Sequence, residues 1–218
     1  MNTDSSGASA DADDRVAGMR DRVEIRELIE NWVLWRDAGD WDRFATVWHA
    51  DGRMNATWFK ASASDFIAGC KRAFDAGMIG LHSLGGVSIN LQGPRAIAQT
   101  RMQIVQRALV HDVLVDVHCE GRFVDALEKR DGRWGMVLRQ PVYELDRMSP
   151  VNPAATVSLD REILASYPEG YRHLAYLQSS LGFDVSKTLP GTRGPEIAAL
   201  MGRLNSWLDG ADRSTLGD

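Results

Sequence analysis

The stretch Val117–Trp134, VHCEGRFVDALEKRDGRW, carries the clearest structural signal in the chain. Its Asp131-Gly132 dipeptide favours a two-residue hairpin turn, because such a turn needs residues that tolerate a left-handed backbone. Before the turn, apolar residues alternate with mostly polar ones, which is typical of a strand with two different faces. The stretch therefore predicts a long antiparallel hairpin, made of Val113–Arg130 and Trp134–Leu145.

Two further β-rich segments, Leu81–Leu91 and Ala96–Val110, precede this hairpin. Upstream of them, apolar residues recur every three or four positions, the period of an amphipathic helix. The predicted helices are Arg15–Ala38, a short helix after Asp40, and one that is capped by Ser62 or Ser64 and ends at Gly77. Three helices followed by four strands predict an α+β cone, in which helices close a strongly bent antiparallel sheet and leave a hollow for a ligand.

The chain outside this cone falls into two parts. Residues 1–14 are small and polar with no apolar run, so we expect a disordered tail rather than a signal peptide or a membrane span. After Ser149 a proline-containing linker leads to helical patterns at Leu159–Leu181 and Pro195–Leu208. We therefore predict a cone domain over 15–149 and a linker with a C-terminal helical extension over 150–218.

Composition excludes several classes of protein. The chain has 218 residues and a net charge of −5, so it lacks the basic surface expected of a nucleic-acid-binding domain. Its two cysteines, Cys70 and Cys119, cannot build a disulfide framework or a zinc site by themselves, and we expect a cytoplasmic protein. Phosphate-loop, dinucleotide, zinc-protease and serine-hydrolase motifs are absent from the sequence. Any chemistry should therefore come from polar side chains in the hollow.

Each candidate polar residue has two interpretations. Asp37 lies at the C-terminal end of the first helix, where the helix dipole disfavours a carboxylate, so it is either a solvated turn residue or the partner of a histidine. His82 opens a strand and is either a satisfied core residue or a functional one. His118 lies on a polar strand face that borders either solvent or a polar cavity. Arg139 and Arg101 fit the site or surface cross-strand pairs. No histidine or carboxylate pair has metal-ligand spacing, so we expect no metal.

Three strings, WRDAGDWDRF, LHSLGGVSI and VHCEGRFVDALEKRDGRW, resemble the SnoaL-like branch of the nuclear transport factor 2-like superfamily over roughly residues 15–148. The likeness is strongest to its scytalone dehydratase and hexachlorocyclohexane dehydrochlorinase members. In both, an aspartate orients a histidine that acts as a base, and the resemblance implies these roles for Asp37 and His82. It implies that His118 is a second, dehydratase-type histidine, and that Arg139 stabilises departing negative charge. The strand Met54–Phe59 lacks the dehydratase tyrosine, which argues against that enzyme's own substrate.

The resemblance implies a cofactor-independent lyase of dehydratase type that acts on an aromatic or polycyclic small molecule. The alternatives are a formaldehyde-releasing retro-aldol lyase, an isomerase or cyclase, a non-catalytic small subunit of a ring-hydroxylating dioxygenase, and a binding module. We expect a homodimer or homotrimer with no cofactor, and with neither nucleic acid nor membrane as a partner. The residues expected to bind substrate are Trp35, Trp48, Trp58, Phe59, Arg101 and Tyr143.

Overall fold

The computed structural model describes residues 5–217, with side chains from Arg15 onward. Two helices, two short strands and a third helix precede four long strands, and further helices follow. The helices are α1 (Ser5–Ala38), α2 (Trp41–Thr46), α3 (Ala63–Asp75), α4 (Arg161–Ala165), α5 (Arg172–Ser180) and α6 (Pro195–Leu208), and a 3₁₀ turn covers Arg213–Leu216. The strands are β1 (Trp48–Asn55), β2 (Lys60–Ser62), β3 (Ile79–Gln92), β4 (Arg95–Val110), β5 (Val113–Arg130) and β6 (Arg133–Pro150).

Within this described part the strands form one curled sheet in the order β2-β1-β6-β5-β4-β3. Neighbouring strands are antiparallel except β1, which runs parallel to β6. One face of the sheet shares a core with α1, α3 and α5 through residues such as Trp32, Phe66 and Leu174. The other face packs against α6 through Leu204 and Trp207. The predicted α+β cone is confirmed, and the C-terminal extension packs on both faces of its sheet.

Two irregularities in the β5–β6 pair decide which side chains face the helices. Strict alternation would place Met136 and Arg139 on opposite faces of the sheet. The register shifts at Val137, which lies opposite no residue of β5, so both side chains face the same way. A second shift lies beside Gly121, where an added Cβ would overlap the carbonyl oxygen of Val142. The strands therefore bend where the hairpin crosses the core.

Gly121→Ala is expected to lower the free energy of unfolding by about 3 kcal/mol, because the new methyl group meets backbone rather than a movable side chain. Urea denaturation followed by circular dichroism measures this loss. Gly86→Ala on β3 is the control, since a Cβ there has no other atom within 4 Å. Equal stability of the two variants would contradict the proposed steric role of Gly121.

The N-terminal segment differs from the prediction. The backbone of α1 is helical from Ser5, so residues 5–14 are not the disordered tail that we expected, and residues 1–4 lie outside the described part. The sequence offers a reason, because Ala8, Ala10 and Ala12 belong to the residue type with the highest helix propensity. None of the helices in the described residues is long and apolar enough to cross a membrane.

The sheet also contains more strand than the sequence predicts. Residues Trp48–Asn55 form β1 and residues Lys60–Ser62 form β2, where we expected only a strand at Met54–Phe59. Strand β1 mixes buried and exposed residues irregularly, and its pairing with β6 is interrupted between Trp48 and Arg53. A period-two pattern is therefore limited to the second half of β1, residues 52–55. Among the two N-cap candidates of α3, Ser62 is the residue that caps it.

Candidate active site

A cavity of about 250 Å³ lies between the sheet and the helices α1, α3 and α5. Its apolar wall is largely aromatic and includes Trp32, Trp58, Phe66, Phe123 and Phe183. A cavity of this kind, with many apolar groups and a few convergent polar ones, is the usual form of a small-molecule site.

The mouth of the cavity lies beside the start of β3. Among its lining residues, Phe74, Ile79 and Leu81 are also 46–53% exposed to solvent. These three side chains border the opening with apolar surface. A ligand that enters here therefore passes hydrophobic side chains before it meets the polar groups inside.

Asp37 and His82 meet on the wall of this cavity. Helix α1 ends just beyond Asp37, because Gly39 adopts a left-handed backbone with φ +73°. His82 donates through Nδ1 to Asp37 Oδ1 at 2.9 Å and through its backbone N–H to Asp37 Oδ2 at 2.6 Å. The two bonds fix both the position and the rotation of the imidazole ring. This ring is perpendicular to the indole of Trp32, with 5.5 Å between the ring centroids.

Arg36 compensates for the placement of a carboxylate at a helix C-terminus. Its Nη1 donates to Asp37 Oδ1 at 3.0 Å and to the carbonyl oxygen of Gly80 at 2.6 Å. The guanidinium lies directly beside Gly80, since a Cβ added there would be in van der Waals contact with Arg36 Nη1 at 3.4 Å. The charge of Arg36 therefore stabilises the Asp37 carboxylate and ties the end of α1 to β3.

Burial and neighbouring charges set the protonation states of Asp37 and His82. Burial lowers the pKa of His82, and the charges of Arg36 and Arg139 lower it further, against the opposing effect of Asp37. Burial alone would raise the pKa of Asp37, but the bonds from His82 and the charge of Arg36 outweigh it and leave that pKa below its ordinary value. At neutral pH the pair is therefore a carboxylate and a neutral imidazole.

The second ring nitrogen of His82 is the reactive position. Nδ1 carries the proton that Asp37 accepts, so Nε2 holds a free lone pair in the neutral ring. Nε2 has no hydrogen-bond partner among residues 5–217, although His82 lines the cavity. A histidine held in this way can accept a proton from a bound molecule.

A second set of polar side chains, formed by Thr57, Gln106 and Gln178, lines the same cavity. Thr57 Oγ1 donates to Gln178 Oε1 at 2.6 Å, and Gln178 Nε2 donates to Gln106 Oε1 at 3.1 Å. Tyr143 lies against Thr57, and burial raises its pKa, so the phenol stays protonated. Sequence reasoning missed Thr57, Gln106 and Gln178. A signal existed for Gln106, which interrupts the inward-facing apolar row of β4, but Thr57 and Gln178 meet only through tertiary packing.

Two residues predicted to be catalytic lie elsewhere. His118 is absent from the described cavity lining, because it points to the side of β5 opposite Val117 and Cys119, which are in the core. Arg139 faces inward but lies behind the wall, where Asp125 binds it at 2.8 Å through both Nε and Nη2. The structure therefore brings Asp37 and His82 together but places neither His118 nor Arg139 in the cavity.

Some of the residues expected to bind substrate line the cavity, and the others lie elsewhere. Trp58 and Tyr143 line the cavity. Phe59 packs behind this wall against Trp58 and Phe66, and Trp48 is buried in the core. Two other residues lie outside the cavity. Trp35 lines a separate surface depression beside Trp134, and Arg101 is an exposed residue that pairs with Glu144 outside the cavity.

In the part of the chain that the structure describes, no three histidine, cysteine, aspartate or glutamate side chains are grouped to hold a metal ion. His49 bonds the carbonyl oxygen of Glu128, and His173 is held by Asp146. These histidines have structural partners away from the cavity.

Comparisons with known proteins agree with this fold. The model of a SnoaL-like domain matches residues 17–140. "Pea pathogenicity protein 2" of Fusarium vanettenii is 37% identical over 177 residues, which cover 79% of this chain and 76% of that protein.

Solved structures share this fold at lower sequence identity. A hexachlorocyclohexane dehydrochlorinase (LinA) type 2 has a TM-score of 0.55 at 11% identity, covering 66% of this chain and 97% of that chain. A protein assigned as a scytalone dehydratase, from Novosphingobium aromaticivorans DSM 12444, has a TM-score of 0.51 at 16% identity, covering 67% of this chain and 99% of that chain. These likenesses concern the fold. With its family model matching more than half of the residues, the chain belongs to the SnoaL-like domain family.

Proposed function

We propose that this protein is a cofactor-independent lyase of dehydratase type that acts on an aromatic or polycyclic small molecule. The observation that carries the proposal is the pair of bonds by which Asp37 holds His82, with the free Nε2 of His82 in an aromatic-lined cavity. Asp37 fixes the tautomer and stabilises the imidazolium that forms when the ring takes a proton. This is the arrangement of a general base that works near neutral pH.

The elimination needs only His82 as an acid and base. Nε2 takes a proton from a substrate carbon, and the electron pair of that C–H bond forms the new carbon–carbon double bond. The neighbouring C–O bond breaks, and its oxygen takes the proton back from the imidazolium and leaves as water. Because His118 lies outside the described cavity lining, we assign the return of the proton to His82 itself. The histidine ends the cycle neutral.

A panel of β-hydroxy aryl ketones and aryl diols, incubated with the purified protein and followed by mass spectrometry, tests the reaction type. Loss of water from a hydroxy ketone is the expected result. Release of formaldehyde from an aryl diol would instead support the retro-aldol alternative. The absence of any enzyme-dependent product across both classes would contradict the proposal.

The pH profile of kcat/KM is expected to fall only below the ordinary histidine pKa of about 6.5, because burial lowers the pKa of His82. The neutral base is then fully present at neutral pH and is lost as the pH falls through the lowered value. Asp37→Asn removes the group that raises the pKa of His82, so its acid limb should move to lower pH. The plateau should also fall about 100-fold, because the ring loses its orienting partner.

Asp40→Asn is the matched control for this profile. Asp40 caps α2 in the same turn region, and asparagine is an equally good N-cap. This variant should keep both the plateau and the acid limb. An acid limb in Asp37→Asn at or above the wild-type position would contradict the assigned pairing.

A further inference from the structure

Three polar side chains from separate parts of the chain form a buried hydrogen-bonded row in the cavity. Thr57 follows β1, Gln106 lies on β4, and Gln178 lies on α5. They are 2%, 8% and 5% exposed, respectively. Burying amides and a hydroxyl is costly unless they are hydrogen-bonded, so their position on the wall calls for partners.

The way in which the hydrogen bonds of this row run leaves some of its N–H donors without a partner in the row. The Thr57 hydroxyl gives its proton to the Gln178 carbonyl, and a Gln178 N–H goes to the Gln106 carbonyl. Each amide has two N–H donors and one oxygen that can accept two hydrogen bonds, and each of the two oxygens accepts one bond here. The Gln106 Nε2 amide has no partner among the residues that the structure describes. The row therefore offers N–H groups to a ligand.

The sheet register places these donors close to His82. Across β3 and β4, His82 pairs with Ile104 and Gly80 pairs with Gln106. The two levels are about 7 Å apart along the strands, since each residue rises by about 3.3 Å. Gln106 and His82 both line this cavity. A bound molecule can therefore meet the free amide and the base together.

We propose that Gln106, oriented by Gln178 and Thr57, binds the uncharged carbonyl oxygen of the substrate, so that the substrate is a cyclic or aryl ketone. This inference rests on the proposed function, because it names the substrate class of the same cavity. Hydrogen bonds to the carbonyl oxygen stabilise the enolate that forms when His82 removes the adjacent proton. The two charged groups of the lining, Asp37 and Arg36, are paired with each other, which leaves the wall beside Gln106 to an uncharged polar group.

The row also gives the C-terminal extension a part in recognition. The SnoaL-like match ends at residue 140, and Gln178 lies beyond it on α5. Gln178 Nε2 donates to the side-chain carbonyl oxygen of Gln106. This bond orients the Gln106 amide, so that its Nε2 points away from Gln178. Gln178 is thus a positioning residue, and Gln106 is the residue that touches the ligand.

Binding of two isosteric probes tests the donor site without turnover. 1-Tetralone presents a carbonyl oxygen, and 1-methylenetetralin carries a methylene group in its place. Isothermal titration calorimetry should show that the wild type binds the ketone about tenfold more tightly, which corresponds to one net hydrogen bond. Gln106→Leu should abolish this preference by weakening ketone binding alone.

Two controls separate this site from general damage and from the base. Gln103→Leu makes the same change on the outer face of β4, where Gln103 contacts Glu120, and should retain the preference. His82→Gln should retain it too, although it removes the proposed base. Gln106→Glu keeps the acceptor for Gln178 and replaces the free donors with an acceptor, so it should weaken ketone binding even if Gln106→Leu fails to fold.

Three results would overturn the proposal: no binding of 1-tetralone, equal affinity of the wild type for both probes, or a preference that survives in both Gln106 variants. The outcome is independent of the proposed lyase activity. A ketone preference without turnover of any panel substrate would remove the lyase and leave the donor site. Turnover of a panel substrate without the ketone preference would support the lyase and remove the donor site.

Discussion

Replacing His82 with alanine is expected to lower the turnover of a panel substrate by about 10⁴-fold, because it removes the group that both takes and returns the proton. The ring is the only part of His82 that is lost, since its backbone N–H still bonds Asp37 Oδ2. The fold should therefore persist. Initial rates under saturating substrate, with circular dichroism of both proteins, measure the two effects separately.

His173→Ala is the matched control for this experiment. Asp146 holds His173 as Asp37 holds His82, with Nδ1 to Oδ1 at 2.8 Å and the backbone N–H to Oδ2 at 2.6 Å. His173 is absent from the cavity lining in residues 5–217. Its loss should leave the turnover within about twofold of the wild type, within the range of a surface substitution. Comparable losses in both variants, or full activity in His82→Ala, would exclude His82 as the base.

Local signals in the sequence were sufficient for most of the fold. The Asp131-Gly132 turn, the serine cap of α3 and the switch from a helical to a strand period each depend on a few neighbouring residues. Their positions agree with the structure for the long strands and for α6. Strand β1 was missed in part because it pairs with β6, far away in sequence, and alternates only over its second half.

The candidate site was only partly predictable, because a strand pattern does not show which face of β5 and β6 borders the cavity or where the register shifts. The residues alone left Asp37 and His82 open, and the family resemblance selected them. His118 matches the family position but points away from the cavity, since one residue along a strand exchanges its faces. Gln178 gave no signal at all, because only the packing of α5 against the sheet brings it to Gln106.

The buried pair of Asp125 and Arg139 gives the largest expected change in stability. Both side chains are fully buried, and the guanidinium stacks between Trp32 and Phe123, with 4.3 Å and 4.1 Å to the ring centroids. These two rings line the cavity, so the pair supports the wall from behind. Arg139 thus stabilises the site without being within the described cavity lining, in contrast to the charge-stabilising role that the family resemblance implies.

The two halves of this pair should differ in their sensitivity to mutation. Asp125→Asn leaves a buried guanidinium that cannot lose its charge, and should lower the free energy of unfolding by about 4 kcal/mol. Arg139→Met should cost less, because burial raises the pKa of Asp125, and the lone carboxyl can take a proton once the opposing charge is gone.

The double variant Asp125→Leu/Arg139→Met removes both charges and should be more stable than Asp125→Asn alone, since no buried charge is left unpaired. Urea denaturation of the four proteins at pH 7 gives their free energies of unfolding, and the order of the three variants shows whether an unpaired buried charge is the main cost. If Arg139→Met were the most damaging change, the loss of stacking on Trp32 and Phe123 would outweigh the loss of the ion pair. If all three variants were as stable as the wild type, the pair would not support the wall.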